Sequence, residues 1–452
     1  MEVYILENHD MAYQVWKDKK VNASVVFHFD AHMDYSSFND SYISIGNFIG
    51  HAMRENIINT FIWIVPSPSF HRKDILNEIL SNLYTLFGSY KETALGYEFN
   101  NISKRIFITN VHLLNDLFKI FVDDESFLID IDVDFFMNPY CNTVYSHFIE
   151  CLPWAHCYEL IDYLSKYLSE NSIITISKSI LGGYTPIIYE CMAYELQDLI
   201  KSNEKELNQY KVVYKAIEKM QTGCLDEAIK LFNSILPQNK AYFSSLVGAM
   251  YCHIQKKEYL IANKFYRQII ELNHNYEPYL FPVDAIVKYS IHTENKEYLS
   301  RAVAYIEEWL NIDEDSQYAL INSMKVFITH NEAIKFDIYR YLEKIESENT
   351  CFEKDYLLAL YYYYNQQYYE SINACQQVLH YLSQNNTPIW AGQISSFENR
   401  QNAGLVKARM LETISLSYMA LGEDVKSKKY AAICKKIGYI TSNIIEILNK
   451  GY

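Results

Sequence analysis

The chain has 452 residues, half of them hydrophobic, with 40 Lys and Arg against 55 Asp and Glu for a formal net charge of −15. So much apolar content excludes a disordered chain, the length points to two or three domains, and no apolar run reaches the roughly 18 residues of a membrane span. The acidity is uneven: residues 1–200 hold 12 basic and 26 acidic residues, leaving 28 and 29 to residues 201–452, so the first part lacks the clustered Lys and Arg that nucleic acid or an anionic membrane requires and suits a cation or a cationic ligand.

The chain begins with an apolar run at residues 3–6 followed by Glu7-Asn8-His9-Asp10. With Glu2, Glu7 and Asp10 in it, this segment reads as strand and loop and not as a signal peptide. A second run, residues 24–29, leads directly into Asp30-Ala31-His32-Met33-Asp34. Asp30, His32 and Asp34 are two apart, so a strand geometry that persists past residue 29 turns all three to one side. Carboxylate with imidazole is a ligand set for Mn, Fe or Zn. Further short runs rich in Ile, Val and Phe lie at 61–65, 105–109, 126–133 and 172–177, with helical patterns at 74–87, 111–121 and 154–168 between them. The runs are nearly all apolar and do not alternate, as expected of strands buried on both faces. Strand and helix in turn predict an α/β domain around a parallel sheet, with ligands beyond the carboxyl ends of the strands.

The run at 126–133 carries Asp130-Ile131-Asp132-Val133-Asp134. Three aspartates in strand alternation put like charges on one edge, at a cost of several kcal/mol unless a cation compensates them. A solvated acidic loop is the alternative, but Ile131, Val133 and the following Phe135-Phe136 speak against it. The three clusters each follow an apolar run, and together they predict a metal site. Two imidazoles, several carboxylates and no thiolate favour Mn²⁺ over a structural Zn²⁺. The nine cysteines form no C-x-x-C pair, which reads as reduced thiols of a cytoplasmic protein.

From about residue 205 the strand pattern stops and helical periodicity takes over. CLDEAIKLFNSIL at 224–236 lies over EYLIANKFYRQII at 258–270, matching Ala228 with Ala262, Leu231 with Phe265 and Ile235 with Ile269, each 34 apart. That is the tetratricopeptide period, in which a small Ala lets two helices approach. Weaker echoes follow at 297–310, 368–379 and 423–433. Residues 205–452 are therefore read as an all-α tetratricopeptide-like helical-repeat domain, which either packs on its neighbour or holds a peptide in a groove. The Tyr361–Tyr364 run reads as helix packing.

The motifs of residues 1–200 resemble the arginase/agmatinase superfamily, the ureohydrolases, which carries D-A-H-x-D after one strand, D-x-D after a later one and an earlier His about twenty residues upstream of the first. The likeness is closer to a divergent branch that includes the peptide arginases of natural-product maturation. Its E-N-H, H-x-D-A-H-x-D, G-N-F-I and D-I-D-x-D-F-F segments stand here as Glu7–His9, His28–Asp34, Gly46–Ile49 and Asp130–Phe136, with ITISKSILGGYTP at 174–186. The resemblance implies an arginase-like three-layer α/β/α domain with a parallel sheet over residues 1–200 and two Mn²⁺ ions that activate a bridging hydroxide. It implies His9 and Asp34 on one metal, His32 and Asp134 on the other, and Asp30 and Asp132 bridging. Asp132 or Asp30 would pass a proton from the nucleophile to the leaving amine. Asp130 stands where the superfamily has Ser or Thr, and is left either as a ligand or as a carboxylate behind the ligands.

Two departures from the superfamily bear on substrate. The proton-shuttle His expected soon after G-N is displaced, His51 being the nearest, and it is the candidate catalytic shuttle with a surface-helix His as the alternative. Asn47 either binds substrate or caps the helix that follows. No acid follows the late strand to grip a guanidinium until Glu190, which is the weak candidate for substrate binding, while Gly182-Gly183-Tyr184 forms either a substrate-facing loop or a turn. The implied activity is hydrolysis of arginine side chains in a ribosomally made precursor peptide to ornithine and urea. The partner is thus an arginine-containing peptide, with no nucleic acid and no membrane. The competing readings are another ureohydrolase or deacetylase-type amidine or amide hydrolase, and a non-enzymatic repeat scaffold.

Overall fold

The computed structural model describes residues 1–21, 24–35, 43–101, 104–121, 127–137, 152–170, 172–181, 184–281, 283, 296–314, 316, 319–320, 322–323, 326, 351–384 and 396–449. The chain divides into two compact units, Met1–Leu280 and Phe281–Tyr452.

The first unit is built on strands β1 (Glu2–Leu6), β2 (Ser24–Phe29), β3 (Ile58–Ile64), β4 (Tyr90–Thr93), β5 (Gly96–Asn101), β6 (Lys104–Thr109), β7 (Phe127–Asp132) and β8 (Ile173–Ser177). They form one sheet in the order β1-β8-β7-β2-β3-β6-β5-β4. Six strands, from β1 across to β6, run parallel. The sheet is nevertheless mixed and not wholly parallel as expected, because β4 and β5 add an antiparallel edge to β6. Both antiparallel strands were missed in the sequence: KET and GYE are polar and half exposed, so no apolar run marks them. Gly96 opens β5 at a φ of +112°, and a Cβ there would lie 2.1 Å from the Ile108 carbonyl oxygen. Only glycine permits that approach.

Helices cover both faces. Helices α1 (Asp10–Asp18), α2 (Phe48–Arg54), α3 (Ser67–His71) and α4 (Lys73–Phe87) follow β1, β2 and β3. Trp16, Phe48, Ala52, Leu80 and Leu83 join Val26, Phe61 and Ile106 in one buried cluster on one face. On the other face Phe118 of α5 (Leu114–Phe121) stacks on Phe27 and Tyr167, with ring centroids 4.1 and 4.3 Å apart. α6 (Cys157–Leu164) leads to β8 and α7 (Cys191–Ile200) follows it. Burial on both faces is why the central strands read as unbroken apolar runs; all six residues of β7 are buried, its two aspartates included.

The strand pattern ends with β8, and the first unit continues through α8 (Glu204–Gln221), α9 (Leu225–Asn233), α10 (Tyr242–Gln255) and α11 (Tyr259–Leu272) to a 3-10 turn at His274–Tyr279. Ala228 and Ala262, the aligned small residues, are fully buried in α9 and α11. A Cβ on Gly248 of α10 would meet the Phe232 ring of α9 at 2.2 Å. Asp198 of α7 accepts hydrogen bonds from Tyr210 of α8 at 2.7 Å and from Lys240 at 2.6 Å, which ties the first helices of the helical part to the α/β layers.

The described part of the second unit is helical: Lys296–Ile312, Cys351–Tyr364, Tyr368–Gln384, Ser396–Ala420, Asp424–Lys436 and Ser442–Asn449. Leu357, Leu360, Cys375, Val378, Met410 and Ile414 form its core. The tyrosine run lies in the helix Cys351–Tyr364, with Tyr361 buried and Tyr364 exposed. Among the described residues no helix is long and apolar enough to cross a membrane.

Candidate metal centre

The carboxyl ends of four adjacent parallel strands, β1, β8, β7 and β2, bring the three sequence clusters together. His9 follows β1 as the residue preceding α1. Asp30, His32 and Asp34 follow β2. Asp132 ends β7, and Asp134 lies in the 3-10 turn Val133–Phe136. Ser179 follows β8. The parallel register aligns these ends, since Phe29 pairs with Ile131 and Asp132 pairs with Ser177.

His9 is buried. Its Nδ1 lies 3.0 Å from Oδ2 of Asp30 and 2.7 Å from Oδ2 of Asp34, and its Nε2 contacts Oδ2 of Asp132. His32 sits at the rim, with Nδ1 2.8 Å from Asp134 and 3.5 Å from Asp30. Its ring packs on Tyr184, with centroids 4.6 Å apart. Backbone amides and neighbours hold the carboxylates: Ala31 N donates to Asp134 at 3.2 Å, Asp134 N donates to Asp132 at 2.9 Å, and the Ser179 hydroxyl donates to Asp132 at 2.7 Å. Trp63 Nε1 donates to the Asp30 carbonyl at 2.9 Å. Asp34 and Ser179 have φ values of +49° and +54°. Side chains rarely adopt this left-handed region, and residues held in it gather at functional sites.

Asp130 belongs to a row behind the site. In the sheet register His28 pairs with Asp130, and Asp130 with Thr175. His28 Nδ1 lies 2.8 Å from Asp130 and His28 Nε2 lies 3.1 Å from Asp30, while the Thr175 hydroxyl donates to Asp130. All three are buried.

Among the described residues, three groups have donor atoms close enough together to hold a metal ion: His9 with Asp30 and Asp132; Asp30 with His32 and Asp134; and His28 with Asp30 and Asp34. Asp30 is in all three and Asp130 in none. The electrostatics of the side chains fit a cation. Burial and the Asp30 carboxylate push Asp34 up to about 6. Burial and Asp134 push Asp132 well above the usual carboxylate range, and burial with Asp30 raises Asp134. Burial would also raise Asp30, but His9 and His28 outweigh it and hold Asp30 well below. Burial opposes charge on the three imidazoles as well. The carboxylates around them win: His28 rises to about 10 beside Asp30 and Asp130, and His9 and His32 rise well above their ordinary value. The cluster thus gathers several carboxylates whose charges disfavour one another when buried, and a divalent cation would relieve that. Nε2 of His9, Nε2 of His28 and Oδ2 of Asp30 are buried within the ion pairs of the cluster, without well-formed hydrogen bonds.

The other expected site residues lie elsewhere. His51 in α2 is buried beside Arg54, with its ring 6.4 Å from that of Tyr13. Asn47 precedes α2, but its side chain accepts from Ser44 N at 2.7 Å and does not cap the helix. Glu190 is buried at the start of α7, with Oε1 2.6 Å from Lys178 Nζ. Gly182 and Gly183 lie outside the described residues. The cleft over the cluster is lined by His9, His32, Asp34, Ile45, Asp132, Ser179 and Tyr184. Ser179 was passed over in the sequence because a lone Ser after a strand carries no charge pattern. Its only signal was its place after the strand next to β7. No family model matches the chain, and neither a curated protein nor a solved structure shows a significant likeness to it.

Proposed function

We propose that the protein is a Mn²⁺-dependent peptide arginase, hydrolysing arginine side chains of a peptide to ornithine and urea. The observation that carries the reading is the sharing of Asp30 between two His–Asp groups, His9 with Asp132 and His32 with Asp134. Such sharing suits two neighbouring divalent ions, and a donor set of carboxylate and imidazole without thiolate suits Mn²⁺. On this reading residues 1–200 form an arginase-like domain, residues 205–452 are tetratricopeptide-like, and the protein works in the cytoplasm.

His9, Asp30, His32, Asp34, Asp132 and Asp134 would hold the ions. When bound, the ions supply a nucleophile at neutral pH by lowering the pKa of water and polarise the guanidinium. Asp132 lines the cavity over the cluster and would take a proton from the attacking water and return it to the leaving amine. The amine leaves as the ornithine side chain and the guanidinium carbon as urea. His51 is held against Arg54, which leaves the proton to Asp132. Ser179 keeps the Asp132 carboxylate aimed.

The choice of a peptide rests on the resemblance of the Glu7–His9, His28–Asp34 and Asp130–Phe136 motifs to the peptide-arginase branch. Free arginine needs a partner for its α-carboxylate, whereas an arginine within a chain does not. The acidic first part favours a cationic approach. Mass spectrometry of Arg-containing peptides incubated with Mn²⁺-loaded protein tests the reading, since ornithine formation removes the elements of cyanamide, CH₂N₂. Agmatine, which also lacks a carboxylate, is the comparison. Conversion of agmatine alone would make the protein a small-amidine hydrolase, and conversion of neither would end the ureohydrolase reading.

A further inference from the structure

Two loops carry the site on one side: residues 7–9 after β1 and residues 178–181 after β8. They run side by side beyond the strand ends, where Lys178 N donates to the Leu6 carbonyl and Ser179 N to the Glu7 carbonyl, each at 3.0 Å. Two residues on from Glu7 is His9, and the Ser179 hydroxyl reaches Asp132. The position of this loop pair therefore sets where one imidazole and one carboxylate of the centre stand.

The loops are gripped from far along the chain. Tyr276, fully buried in the His274–Tyr279 turn, directs its hydroxyl to both carboxylate oxygens of Glu7 at 2.7 Å. Lys178 Nζ reaches the Tyr276 oxygen at 3.5 Å and Glu190 at 2.6 Å, and lies 3.8 Å from Glu7. Tyr279 donates to the Leu181 carbonyl at 2.6 Å. Glu7 is largely buried between a cation and a hydroxyl, so removing the hydroxyl leaves a buried carboxylate short of a donor, which the loop must move to satisfy.

We infer that Tyr276 and Tyr279 are positioning residues for the metal centre, so that the turn after α11 is part of the support of that centre. The inference rests on the metal-centre reading but not on the identity of the substrate. Helices α8 to α11 then do more than present a docking surface: their end fixes the loops of His9 and Ser179.

The test is Mn²⁺ titration of the full chain by calorimetry and electron paramagnetic resonance, with Tyr276→Phe, Tyr279→Phe and Tyr210→Phe. The last removes another buried tyrosine hydroxyl bonded to a carboxylate, Asp198, in the same unit but away from the loops. Tyr276→Phe is expected to weaken Mn²⁺ binding about tenfold, as loss of an outer support does, and Tyr279→Phe several-fold. Tyr210→Phe is expected to lower the melting temperature without changing Mn²⁺ affinity. Wild-type affinity in both turn variants, or an equal loss in Tyr210→Phe, would overturn the inference. A wild-type chain that binds no Mn²⁺ would overturn it together with the metal centre. Mn²⁺ binding without arginine hydrolysis would remove only the proposed substrate and leave the inference standing.

Discussion

Nδ1 of His28 lies 2.8 Å from Oδ2 of Asp130, a pair made in the buried interior where β2 and β7 run in register. The pair separates three aspartates that the sequence alone could not rank. Asp130 faces His28 and Thr175, while Asp132 and Asp134 reach the candidate metal groups.

The first prediction follows from that division. Asp132→Asn removes a carboxylate of the His9–Asp30–Asp132 group and is expected to abolish stoichiometric Mn²⁺ binding with the far-ultraviolet circular dichroism kept. Asp130→Asn loosens only the support of His28 and hence of Asp30, so affinity is expected to fall by roughly 10–100-fold with both ions still bound at saturation. Metal analysis after dialysis separates the two, and equal losses in both variants would refute the assignment.

Ser179 combines a hydrogen bond to Asp132 with a left-handed backbone. Ser179→Ala keeps the backbone demand and loses the hydroxyl, so Mn²⁺ affinity is expected to fall about tenfold with little change in melting temperature. Ser179→Thr keeps a hydroxyl but puts a β-branched residue at positive φ, at a cost of about 1–3 kcal/mol. It is expected to lower the melting temperature as well. The order reversed would show that the backbone conformation is unimportant.

The pH dependence has a definite sign. Asp34 is raised from 3.8 to about 6 and His28 from 6.5 to about 10. In both cases the folded protein binds the proton more tightly than the unfolded chain, so stability present at low pH is lost as pH rises. The windows are about 4 to 6 for Asp34 and 6.5 to 10 for His28. Metal-free protein is therefore expected to melt at lower temperature as pH rises through these windows. A bound cation takes the place of the protons, so the gap in melting temperature between Mn²⁺ and chelator samples should widen from about pH 6 to about pH 9. A gap independent of pH would count against the cluster as the metal site.

Gly96 provides a test of the fold away from the site. With φ at +112° and the Ile108 carbonyl oxygen 2.1 Å from a would-be Cβ, Gly96→Ala collides with backbone that cannot move without parting β5 from β6. A loss of about 2–4 kcal/mol is expected, measured by denaturant unfolding, with Mn²⁺ affinity of the folded fraction unchanged. A neutral substitution would mean that the edge pairing is looser than it stands here.

Much was legible in the sequence because it is local. Burial on both faces makes a central strand an apolar run, so six of the eight strands could be read directly, and the donors stand immediately after the runs at 3–6 and 24–29 and inside the run at 126–133. Where the signal is not local it failed. The polar strands β4 and β5 carry no apolar run, and Ser179 carries no charge pattern. The role of His28 needs a partner 102 residues away.

Taken alone, the sequence determined the chemistry available: carboxylates and imidazoles spaced by two around the ends of apolar strands. The expected strand alternation does not carry through them, since β2 stops at Phe29, Asp34 has a φ of +49° and Asp134 lies in a 3-10 turn. Only the tertiary structure decided which of them meet. Parallel register sets His28 beside Asp130 and brings Asp30 to both His9 and His32, and chain return over some 270 residues sets Tyr276 on Glu7. Those pairings depend on distances across the sheet and between layers, and no spacing along the chain encodes them.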